Sequence, residues 1–176
     1  MKRLSAIFLM LIVLVISLTT PVLAAGPSLH SATGGGTVER TVWGTDDTYK
    51  NTYAFTVQQL DEAGNAKGNY VVVFNHGTEY HHTKFEVDIK YAYFEGNFVY
   101  MSGVITHAYR PQWVGMGLLT VAIDNGEGQG ATGPDKVSSI LICGRVDAAA
   151  DEDYRNWNFG NPPYGFDLTN GSVQIK

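Results

Sequence analysis

Four side chains with hard oxygen atoms lie close together in the middle of this chain. They are Asp124, Asn125, Glu127 and Asp135, in the run Asp124-Asn125-Gly126-Glu127-Gly128 and the following Pro134-Asp135. Carboxylates, an amide and loop carbonyls are the ligands Ca2+ gathers, about six to eight at a time, and glycines would let the backbone fold round an ion. The spacing is not the Asp-x-Asp-x-Asp-Gly loop of an EF-hand. A second role suits the same residues. Asp124 and Asp135 would then accept backbone N–H groups and pin a long turn.

Other stretches carry different chemistry. Between Tyr154 and Phe166, aromatic residues alternate with amides, with Trp157, Phe159 and Tyr164 as the stacking surfaces and Asn156, Asn158 and Asn161 beside them. Exposed rings stack on sugars while amides bond hydroxyls, so this stretch is a candidate carbohydrate site; the alternative is a long loop pinned by its own aromatics. His76, His81 and His82 share one segment with Glu79, and His107 ends a later strand, so a transition-metal site needs all of them to converge. A register summing to 192 between the strands on either side of Glu95-Gly96-Asn97 would turn His107 inward and break that cluster. Glu86 and Asp88 share a strand face, and spaced carboxylates could do glycosidase chemistry, but Lys84 and Lys90 flank them. A solvated, charge-balanced face explains all four. Cys143, the only cysteine, ends the run Ile140-Leu141-Ile142 and reads as a buried, inert thiol, with no intramolecular disulfide possible.

The elements that must position these groups are strands. Tyr53, Phe55 and Val57 alternate with polar residues. Phe85, Val87, Ile89, Tyr91 and Tyr93 alternate with Lys84, Glu86, Asp88 and Lys90, the period-two pattern of a sheet with one wet side. Further strands are expected at Thr37–Trp43, Tyr70–Phe74, Phe98–Thr106, Gly117–Ile123, Val137–Cys143 and Gly171–Lys176. Ala25–Gly36 reads as a flexible lead-in, and no helix is expected beyond the N-terminal segment. The fold class is therefore all-β: a single antiparallel domain of about eight strands, barrel-like or a two-sheet sandwich. Pairing of Ser172–Ile175 with the first strand would protect both edges.

Residues 1–24 read as a secretory signal. Lys2 and Arg3 precede the apolar run Leu4–Leu18, and Val22-x-Ala24 supplies a cleavage site. The run is short for a bilayer span, so the product is expected to be secreted or extracytoplasmic, with no stable membrane insertion after cleavage. Cleavage leaves residues 25–176, and losing Lys2 and Arg3 moves the formal charge from −5 to −7. An acidic chain of this kind argues against nucleic acid as a partner.

At Asp124-Asn125-Gly126-Glu127-Gly128, Pro134-Asp135 and Ser138, the chain resembles an uncharacterised family of small secreted bacterial all-β proteins. Gly34-Gly35-Gly36-Thr37-Val38 and Asn170–Ile175 extend the resemblance over most of residues 25–176. It implies export and an all-β fold and transfers no catalytic residue. With no Ser-His-Asp order, Gly-x-Ser-x-Gly or zincin helix in the sequence, the expected function is non-enzymatic: a binding, surface or interaction module. The alternatives are a carbohydrate-binding module, a secreted hydrolase, and a barrel carrying a small apolar ligand.

Overall fold

A computed structural model of the chain describes residues 29–41, 48–76 and 80–176. Ten strands follow in order: β1 (Ser31–Thr41), β2 (Thr48–Gln59), β3 (Asn65–His76), β4 (Tyr80–Glu95), β5 (Phe98–His107), β6 (Gly117–Ile123), β7 (Lys136–Val137), β8 (Leu141–Cys143), β9 (Phe166–Asp167) and β10 (Asn170–Ile175). They make one antiparallel sheet in the order β10-β1-β2-β3-β4-β5-β6-β7-β9, with β8 also on β6. The barrel-like alternative is the one adopted, not the two-sheet sandwich. As expected, the last strand pairs with the first, Gly34 opposite Val173. The final segment serves both ends of the sheet: β9 pairs with β7 and β10 with β1. At the corner between them, Leu168 N–H donates to the Asp135 carbonyl and Thr169 N–H to that of Thr37. The sheet is thereby curled back on itself.

Inside the curl lies the main core. Tyr53, Phe55 and Val57 of β2 point inward in strict alternation with exposed neighbours. Val72, Phe85, Val87, Ile89, Val99, Met101, Ile105 and Leu118 complete it. Each such fully buried aliphatic or aromatic side chain contributes about 1.5–3 kcal/mol by leaving water. Outside, the expected polar row is present. Lys84 pairs with Glu86, and Lys90 with Asp88 at 2.7 Å.

Five expectations need correction. Val137–Cys143, expected as one strand, is two, β7 and β8, with residues 138–140 between them. Gly34–Gly36 lie within β1 instead of a lead-in. A Cβ on Gly36 would collide with the Asn170 carbonyl, and one on Gly34 would sit 2.7 Å from the Phe55 ring, so glycine permits the close packing of β10 and β2 against β1. In the β4–β5 hairpin the turn is Gly96-Asn97, with Gly96 at φ +58°. Pairs sum to 193 near it, and to 192 between Val87–Ile89 and Gly103–Ile105, because an irregularity at Lys90 absorbs one residue. That bulge reverses the faces. Ala92 and Phe94 therefore turn inward, whereas Tyr91 and Tyr93, expected inside, turn outward, with Tyr93 37% exposed. A second irregularity at Thr106 leaves His107 exposed opposite Glu86 instead of inward.

The fifth correction is a helix, α1 (Glu152–Phe159). Its residues are mediocre helix formers, but Asp151 caps it by accepting the Tyr154 N–H at 2.9 Å, and Glu152 and Asp153 lie in its first turn. Gly160, at φ +79°, ends it. The helix covers the outer face of β5 and β6, where Tyr100, Leu119, Val121, Cys143, Ala148, Ala149 and Phe159 form a second apolar cluster. Cys143 is buried there, as its apolar run predicted.

Candidate ligand-binding site

The carboxylate loop joins β6 to β7 and reaches the far edge of β10. Ser31 and Lys176 exchange both backbone bonds, so the even-numbered residues of β10 face β1 and the odd-numbered N–H groups point away. Two aspartates capture those outward groups. Asp135 accepts the Val173 N–H through Oδ2 at 2.6 Å and the Asn125 N–H through Oδ1 at 2.7 Å. Asp124 accepts the Ile175 N–H through Oδ2 at 3.0 Å and the Gly126 N–H through Oδ1 at 2.9 Å. The Asn125 amide donates to the Pro134 carbonyl, and Glu127 Oε1 accepts from Gln174 Nε2 at 3.0 Å. Every side-chain oxygen of the two aspartates thus accepts an N–H, so backbone donors offset the charge of the loop. Among the described residues no group of three His, Cys, Asp or Glu is arranged to hold a metal.

The aromatic stretch is divided by α1. Trp157 is 88% exposed and Tyr164 58% exposed, whereas Phe159 is 3% exposed. Phe159 anchors the helix, its ring 6.5 Å from Tyr100 and 6.2 Å from Tyr164. Arg155 is buried beside it, donating to the Ala149 carbonyl at 2.7 Å with its guanidinium 3.8 Å from the Tyr93 ring centre. The Asn158 amide donates to the Tyr154 carbonyl and is partly committed to the helix. Glu79 and the side chains of His76, His81 and His82 lie outside the described residues. Glu86 has its pKa lowered, first by the hydrogen bond from Lys84, and so stays ionised. It forms part of the solvated row.

A different site appears at the end of the curl that carries the β3–β4 and β5–β6 connections. A cavity of about 400 Å3 opens there, walled by Phe74, Phe85, Trp113, Ile140 and Ile142, with Arg110 on its rim. Sequence inspection treats Tyr109–Gln112 as plain loop. Pro111 starts a short 3-10 turn, Pro111–Trp113, in which Trp113 N–H donates to the Arg110 carbonyl at 3.0 Å. The turn lays the Trp113 ring on Phe85, centres 5.5 Å apart and 23° from parallel. Arg110 lies 5.0 Å from the Trp113 ring centre. Neither Phe74 nor Phe85 announces a ligand site by its type, since both fit a core pattern. The available signal is Tyr109-Arg110-Pro111-Gln112-Trp113, a connection unusually rich in large planar groups.

The interior beside this mouth is not wholly apolar. Asn51 stands opposite Phe74 in the β2–β3 register and is buried, yet neither amide atom has a hydrogen-bond partner of ordinary geometry among the described residues. Its polar neighbour is Tyr53. Burial raises the Tyr53 pKa, and the nearby Asn51 amide opposes that rise.

Compared with family models, curated proteins and solved structures, the chain matches none.

Proposed function

We propose that this chain is an exported, non-enzymatic β-domain that binds a small, largely apolar molecule in the mouth of its barrel. The observation that carries this is the 400 Å3 cavity walled by Phe74, Phe85, Trp113, Ile140 and Ile142. Concave apolar sites of about 300–1,000 Å3 with few polar groups are the usual form of small-molecule sites, including those in the mouths of barrels. Export is proposed from the Met1–Ala24 pattern alone. The resemblance to secreted all-β proteins is consistent with it. Among the described residues, the Glu86–Asp88 pair is committed to lysines, which favours binding over hydrolysis.

The test is titration with N-phenyl-1-naphthylamine, a neutral dye that brightens in apolar surroundings. Saturable one-to-one binding is expected, with quenching of Trp113. Ile142→Gln should weaken it several-fold while the melting temperature stays near that of wild type. A signal indifferent to Ile142→Gln would put the dye elsewhere and overturn the proposal.

A carbohydrate surface is the second reading, favoured by the exposure of Trp157 and Tyr164. It keeps those two rings and drops Phe159. A polysaccharide would then change Trp157 emission without touching Trp113, and Trp157→Ala would abolish the change.

A further inference from the structure

We infer that the molecule held in the barrel mouth is an amphipathic anion: an apolar body bearing one carboxylate, sulfonate or comparable group, with Arg110 as its counter-ion. This rests on the mouth being the binding site and adds the chemical class of its occupant. The cavity wall is largely apolar, with Thr83 and Tyr109 as its uncharged polar residues and Arg110 as the cation among the described lining residues. Other arginines of the described residues are committed within the fold. Arg145 pairs with Asp147 and Asp151. Arg155 is buried against Tyr93 and bonded to the Ala149 carbonyl. Arg40 donates to the Ser139 hydroxyl and lies 3.9 Å from the Phe166 ring centre. Arg110 forms no ion pair with any described residue and rests only over Trp113.

The geometry suits an anion for three reasons. A guanidinium laid over an aromatic ring is weakly hydrated and presents a planar fork that matches carboxylate or sulfonate oxygens two at a time. Trp113, which supports it, is itself stacked on Phe85, so the charge is held at the edge of the apolar wall. The chain as a whole is acidic, with a formal charge of −5, so its general field repels anions. A preference for an anion must then arise from a local cation, and Arg110 is placed to supply it.

Two dyes with the same body separate the terms: neutral N-phenyl-1-naphthylamine and its sulfonated counterpart, 1-anilinonaphthalene-8-sulfonate. The intact chain should bind the sulfonate about tenfold more tightly at low salt, the advantage of one partly exposed charge-assisted contact. The preference should shrink as salt screens it. Arg110→Gln should abolish it and leave the neutral dye's affinity and the melting temperature unchanged, while Arg110→Lys should retain part. Equal binding of both dyes to wild type, or equal weakening of both by Arg110→Gln, overturns the anion inference and leaves the apolar site standing. Failure of both dyes to bind, or binding indifferent to Ile142→Gln, overturns the site and the inference with it.

Discussion

A carboxylate taken out of water destabilises a fold unless its oxygens meet donors, and Asp135, 8% exposed, meets two backbone amides. Those amides belong to opposite sides of a junction, Asn125 at the end of β6 and Val173 in β10. Asp135→Asn would replace one accepting oxygen by a donor facing an N–H. The expected loss is about 2–3 kcal/mol in guanidinium denaturation, the scale of hydrogen bonds to a charged group. Glu127→Gln, whose partner is only the exposed Gln174 amide, should stay within about 0.5 kcal/mol of wild type. A chelator should leave the wild-type melting curve where it is. If calcium raised the midpoint instead, an ion would be bound by the folded loop, since a ligand at about a hundred times its Kd adds roughly 2.7 kcal/mol to the folded state.

Among the elements, α1 depends most on a single residue. Asp151 has its pKa lowered, first by the Tyr154 N–H and then by Arg145. The folded state therefore prefers the ionised cap. Its stabilisation is complete above the ordinary carboxylate range, about pH 4, and is lost as pH falls through the lower folded-state value. Asp151→Asn retains an oxygen for the Tyr154 N–H but cannot titrate. Its melting temperature should therefore fall less steeply than that of wild type between about pH 5 and pH 2. Trp157, exposed on this helix, reports the local change through its emission. Identical acid limbs for the two proteins would remove Asp151 as a source of the pH dependence. The β4–β5 hairpin shows a different case, an element in which one irregularity decides which residues near the turn face inside. Moving the bulge at Lys90 would send Tyr91 and Tyr93 back inside and take from Arg155 the nearer of the two rings it lies over, leaving Tyr100.

For the whole molecule, a final segment pairs with both ends of the sheet, and an apolar opening lies at the end opposite the Asp124–Asp135 clasp. The carrier role proposed for this chain outside the cell requires export. The exported product is expected to begin at or within a residue of Ala25, as read by intact-mass measurement. A product retaining Met1 would contradict export by cleavage.

The sequence alone determined what depends on neighbours along the chain. Alternation in Tyr53–Val57 and in Phe85–Ile89 marked strands and their buried faces, because a side-chain period of two needs no partner to be read. The charged row Lys84–Lys90 and the burial of Cys143 were legible for the same reason. The Asp124–Asp135 loop was legible as a set of acceptors, but not for whom, since Val173 and Ile175 lie about 40 to 50 positions away. Tertiary structure decided the rest. One bulge reversed Tyr91 and Tyr93, a change of face that no pattern within β4 encodes. The Gly34–Gly36 run lies in a strand packed closely between β2 and β10, partners far from it in sequence. The mouth, too, exists only in three dimensions, because Phe74, Phe85, Trp113 and Ile142 come from separate segments and each one alone looks like core.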